Sequence, residues 1–101
     1  MPVYIVAQIR IDDRETYGQY EAGFMQIFQQ YQGEIVAVDD APQIVETRDD
    51  ADAPDFTRVV ILRFPDTEAA QAWYRSPEYQ ELAKKRLAAS KGVITLVNGI
   101  G

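Results

Sequence analysis

The chain has 101 residues, a formal charge of −6, 47% hydrophobic side chains, and neither cysteine nor histidine. That length predicts one domain over residues 1–101 with a packed core, and the acidity opposes phosphate backbones and anionic membranes, so neither is an expected partner. Without cysteine there is no disulfide or thiolate nucleophile, and without histidine the commonest metal ligand and the default general base near neutral pH are missing.

The opening "VYIVAQIRI" places Val3, Ile5, Ala7, Ile9 and Ile11 at period two, with a mixed set of Tyr4, Val6, Gln8 and Arg10 between them. This pattern predicts a strand with one strongly buried face and one partly polar face. It reads as a strand and not as a signal peptide, and with no stretch long enough to span a membrane a cytoplasmic protein is expected. "DDRE" then offers Asp12 as a helix cap with Glu15 three residues on. Through "ETYGQYEAGFMQIFQQYQG", Tyr17, Tyr20, Phe24, Ile27, Phe28 and Tyr31 share one helical stripe, and Gly33 is the expected stop. Gly18 and Gly23 weaken that helix by about 1 kcal/mol each relative to alanine, which suggests close approach of another backbone.

"EIVAV" predicts a strand, interrupted at "DDAP" and resumed at "QIVET", either as one kinked strand or as two short ones. "RDDADAPDF" has the chemistry of a polar connection. Its Asp49, Asp50, Asp52 and Asp55 lack the spacing, glycine and terminal glutamate of a calcium loop, so no metal site is expected. "TRVVILRF" is apolar on both alternations through Val59, Val60, Ile61 and Leu62, as in a strand buried on both faces. A helix follows with Asp66 as cap. "SPEYQELAKKRLAASKG" restarts it with Ser76 as a new cap and Pro77 at the first helical position, and Gly92 is the expected close. "VITLV" is the last strand.

Strand, helix, strand, strand, helix, strand is the order of a ferredoxin-like α+β fold, βαββαβ, an antiparallel sheet with helices on one face. Two helices leave the other face of the apolar third strand uncovered. A second copy of the chain is the simplest cover, so a homodimer packed through the open face of the sheet is expected.

The segment "RFPDTEAAQAWYRSPEYQELAKKR" resembles the core motif of domain of unknown function family 1330, within the dimeric α+β barrel superfamily. The likeness covers nearly the whole chain. It runs through Tyr17 and Tyr20, Gly33, Phe64-Pro65, and then Trp73-Tyr74-x-Ser76-Pro77-x-Tyr79 as far as Arg86. The resemblance implies the ferredoxin-like dimeric barrel and no established reaction. By superfamily analogy it points to cofactor-independent oxygenation or isomerisation of an enolisable substrate, with no cofactor required. The chain departs from the family pattern at Gln32, at Glu46-Thr47 and at Arg63.

The residues themselves carry two readings. Trp73, Tyr74 and Tyr79 are either core rings pinning a helix restart to the sheet or, with Tyr20, the wall of a small-ligand pocket. Arg86 follows Tyr79 by seven residues on nearly the same face, where burial requires an anionic partner. That partner is either an internal carboxylate, with Glu46 the best candidate, or the carboxylate or enolate of a ligand. Glu46 could instead neighbour Arg58 across a hairpin. Glu46 and Arg86 are thus the candidate catalytic pair, base and oxyanion stabiliser, while Tyr20, Trp73, Tyr74, Tyr79 and Arg86 are the candidate ligand contacts. The alternative function is a non-catalytic stress-related or regulatory dimer whose aromatic rings leave no pocket.

Overall fold

A computed structural model describes residues 1–48 and 55–101. Four antiparallel strands form one sheet in the order β2-β3-β1-β4: β1 is Val3–Ile11, β2 Glu34–Asp39, β3 Arg58–Phe64 and β4 Ser90–Asn98. Helix α1, Arg14–Phe28, follows β1, while α2, Thr67–Arg75, and α3, Pro77–Ala89, lie between β3 and β4. This is the ferredoxin-like α+β arrangement, with its second helix in two pieces. None of the described helices is long and apolar enough to cross a membrane.

The core forms where the inner strand faces meet the helices. Val3, Ile5, Ala7 and Ile9 of β1 and Leu62 and Phe64 of β3 are buried against Tyr17, Tyr20, Phe28, Trp73 and Tyr79. The aromatic stripe of α1 faces inward as its spacing predicts. On α3, Leu87 lies off the buried Tyr79–Arg86 face and is two-thirds exposed. Gly23 gives α3 its approach to α1, since a Cβ there would lie 2.9 Å from Leu82 Cδ1. The close neighbour is therefore a side chain and not a backbone, and at Gly18 nothing lies near.

The helix restart rests on one side chain. Ser76 Oγ accepts from Tyr79 N at 3.2 Å and donates to Trp73 O at 2.9 Å, so it caps α3 while tying off the end of α2. Pro77 occupies the first turn, where its missing N–H costs nothing. Ser76→Ala removes a buried cap and should lower stability by about 1–2 kcal/mol. Thermal denaturation followed by circular dichroism should show a fall of several degrees.

Elsewhere the boundaries differ from expectation. Asp13, not Asp12, caps α1, accepting from Thr16 N. Helix α1 ends at Phe28, and Gly33 instead seats the Phe28 and Phe64 rings, each of which would lie within 2.7 Å of a Cβ there. Helix α3 needs no glycine stop. Ser90 Oγ donates to Arg86 O, and the Asp12 and Asp13 amides donate to Ala89 O, satisfying terminal carbonyls that a glycine cap would otherwise satisfy locally. Gly92 lies within β4, where a Cβ would run into the carbonyl of Gln8.

The expected strand at "QIVET" is not formed: residues 41–47 carry no strand, and Val45 is 95% exposed. Pro42 has no N–H for the ladder, and the chain leaves the sheet at Asp39. Asp49, Asp50 and Asp52 fall outside the described residues. Asp55 pairs with Arg10, and among the described residues no cluster of acidic side chains suits a metal.

Candidate functional site

Between the helices and the inner face of the sheet lies a cavity of about 180 Å³. Its floor is Ile5, Ala7 and Ile9 of β1 with Val60 and Leu62 of β3, and its roof is Tyr17, Tyr20 and Phe24 of α1. Trp73 of α2 and Tyr79 and Arg86 of α3 close the inner end. Met25, Ile35 and Val38 are about half exposed and form the mouth between α1 and the edge strand β2. A register shift between Ile35 and Ala37 lets both Ile35 and Val38 face inward, opposite Leu62 and Val60. Such a volume accommodates a molecule of single-ring size, given that a cavity of about 150 Å³ holds benzene.

The cavity is rich in donors and poor in acceptors. Trp73 is 2% exposed and Arg86 8%, and neither Trp73 Nε1 nor Arg86 Nε has an acceptor among the described residues. The same holds for Arg58 Nε, on the same lining. A buried donor without a partner costs on the order of 1–3 kcal/mol. With Arg58 held by carboxylates, the two donors of Trp73 and Arg86 mark the buried part of this space as one that suits an acceptor. The hydroxyls of Tyr20 and Tyr79 lie 2.8 Å apart, so one donates to the other and a single phenolic proton is left over. Burial, with Tyr79 as neighbour, holds the Tyr20 hydroxyl far above the ordinary tyrosine range, keeping it a neutral donor.

The two arginines differ in charge environment. Arg86 forms no ion pair with a described carboxylate, and its guanidinium carbon sits 6.0 Å from the centroid of the Tyr20 ring. Burial lowers its pKa, the oxygens of Tyr79 and Tyr20 raise it by more, and it stands above its ordinary value. The group is therefore a permanent cation. Arg58 pairs with Glu21 of α1 at 2.6 Å and with Asp40 just past β2, and stacks 5.8 Å from the Tyr17 ring centroid.

Of the residues singled out in the sequence, Tyr20, Trp73, Tyr79 and Arg86 come together on this lining. Tyr74 does not. It is 40% exposed and leans on the outer side of Trp73 and Tyr79, with centroids 6.1 and 5.7 Å away. Glu46 is the larger correction. It is exposed and lies with Gln8 and Val59 on the opposite face of the sheet, because the chain left the ladder at Asp39. It partners neither Arg86 nor Arg58. Tyr17, Glu21 and Arg58 are lining residues that the motif reading missed. The signal for Arg58 was its parity, since positions 58, 60, 62 and 64 share the inner face of β3.

Comparison with known proteins places the fold. A protein of unknown function from Rhodopseudomonas palustris superposes with a TM-score of 0.81 at 19% identity, covering 99% of this chain and 83% of that one. A cofactor-independent oxygenase from Streptomyces nogalater gives 0.68 at 18% identity, covering 99% and 94%. A dimeric ferredoxin-like protein of unknown function from Jannaschia gives 0.64 at 10% identity, covering 98% and 100%. Likeness at such identities speaks to fold alone, and no curated protein matches the chain. The family model described as domain of unknown function DUF1330 matches residues 2–100, from the first strand to past the last, and the chain belongs to that family.

Proposed function

We propose that the protein is a cytoplasmic homodimer with one pocket per subunit, between helices and sheet, for a small organic ligand that brings an acceptor group to Arg86. The observation that carries this reading is the pair of buried donors, Trp73 Nε1 and Arg86 Nε, that line one cavity and find no acceptor among the described residues. The reaction such a site suits is one through an enolate or phenolate, whose oxyanion a buried guanidinium stabilises. The oxygenase from Streptomyces nogalater shares the fold and makes cofactor-independent chemistry a reasonable class to test. With Glu46 on the far face, no carboxylate beyond Glu21 lines the cavity among the described residues, and Glu21 is held by Arg58. A ligand that enters already ionised needs no protein base.

The test is a screen of enolisable acids and phenols for thermal shift and turnover, alongside native mass spectrometry of protein purified from its own host. A retained small molecule, or a shift with ring-sized acids, supports the pocket. Absence of both across the screen sinks it.

The dimer rests on a separate observation. On the sheet face away from the helices, Val6, Val59, Ile61, Val93 and Val97 make an apolar surface that no described helix covers, bordered by Ile44 and Val45. Ile61→Asp puts a charge at its centre without touching the inner face. Light scattering should then find a folded monomer where the unsubstituted protein is a dimer. An unsubstituted protein that stays monomeric at every concentration would refute the assembly.

A further inference from the structure

The charged residues on the lining are Glu21, Arg58 and Arg86, and they are unevenly placed. Arg86 stands at the buried end without a described carboxylate beside it, and Trp73, with its unpartnered Nε1–H, shares that lining. Arg58 stands toward the mouth, where two carboxylates, Glu21 and Asp40, pair with it. Those carboxylates are 45% and 60% exposed, whereas the Arg58 side chain is 12% exposed, so their charge faces the approach from solvent. The inner end thus carries one net positive charge and the mouth one net negative charge. Tyr17, whose hydroxyl interacts with both guanidiniums, lines the same space, and the other walls, Ile5, Ala7, Phe24, Val60 and Leu62, are apolar.

We infer that the pocket selects single-ring organic monoanions. The ligand's one anionic group lies at Arg86 and Trp73, its apolar body points to Met25, Ile35 and Val38, and the Glu21–Arg58–Asp40 cluster rejects a second negative charge at the outer end. This rests on the pocket proposed above and adds its charge rule and the ligand's direction. The inner end favours the anion through charge-assisted hydrogen bonds in a dry site. The outer end disfavours a dianion because like charges in a narrow mouth repel, and Arg58 cannot serve as a second anchor while two carboxylates hold it.

Three rigid probes of similar shape separate the terms: benzoate, benzyl alcohol and terephthalate, titrated calorimetrically into the intact protein. Benzoate should bind about 10- to 100-fold more tightly than benzyl alcohol, the span expected for hydrogen bonds to a charged group. Terephthalate should bind at least about tenfold more weakly than benzoate, despite its identical inner carboxylate. In the double variant E21Q/D40N, Arg58 is released and terephthalate should overtake benzoate. The wild-type comparison needs no variant to fold. Benzyl alcohol matching benzoate, or terephthalate matching it in the unsubstituted protein, overturns the charge rule while the pocket stands. Binding of none of the three removes the pocket and the rule together.

Discussion

Replacing Arg86 by methionine is expected to raise the melting temperature of the ligand-free protein by a few degrees while weakening benzoate binding about 10- to 100-fold. The affinity loss follows from deleting a charged donor at the buried end of the cavity. The gain in stability follows from burial. A guanidinium at 8% exposure, without a carboxylate partner among the described residues, has given up hydration that the Tyr20 ring face and the phenol oxygens restore only in part. Methionine keeps the length of the aliphatic stem and fills the same irregular space without that charge. A gain of about 1 kcal/mol corresponds to roughly 4–8 °C in a domain of this size. An arginine held in an internal ion pair would behave oppositely, since breaking such a pair costs about 3–5 kcal/mol. Calorimetric melting with a benzoate titration of the same variant reads both signs. A lower melting temperature with undiminished binding would mean that Arg86 serves the fold alone.

That experiment bears on what could and could not be read from the residues in order. The elements whose signal is local were legible. Period-two alternation marked β1, a run apolar on both alternations marked β3, the aromatic stripe marked the inner face of α1, and Ser76-Pro77 marked the break between α2 and α3 through a cap and a fixed φ. Half of the site was legible for the same reason. Tyr79 and Arg86 lie seven residues apart on one helix, and Trp73 and Tyr20 belong to runs whose faces are set by spacing. The pairing of Glu46 with Arg86 failed because it depended on a long-range path. A proline-bearing kink after Asp39 sends the chain off the ladder to the other face, and nothing in the spacing of "QIVET" records that departure. The same departure separates Arg58 from Glu46. With Glu46 gone, its partners come from α1 and the end of β2, elements distant in sequence. Spacing alone makes Gly92 a helix stop, because its role, admitting the Gln8 carbonyl across a strand pair, is visible only once β4 lies beside β1.

Trp73 is the residue at which fold and site can be separated most sharply. Truncation to alanine is expected to cost about 3–5 kcal/mol, the range for deleting a large buried aromatic side chain. Its indole lies 5.6 Å from the Phe64 centroid, 5.8 Å from Phe28, 6.0 Å from Phe24 and 4.3 Å from Tyr79, joining α1, α2, α3 and β3 at one point. A domain stable by roughly 5–15 kcal/mol loses much of its margin to such a change, and chemical denaturation should show a large fall in midpoint. Phenylalanine at the same position gives the opposite balance. It keeps an aromatic ring among the others and deletes the Nε1–H that finds no described acceptor. The smaller ring leaves a void, but removing a buried donor offsets part of that loss, so the stability cost should stay below about 1.5 kcal/mol. If the donor serves a ligand, benzoate affinity falls about tenfold or more in W73F although the fold is nearly intact. If the ring is core alone, W73F binds benzoate as the unsubstituted protein does, and Arg86 is then the single polar anchor at the buried end.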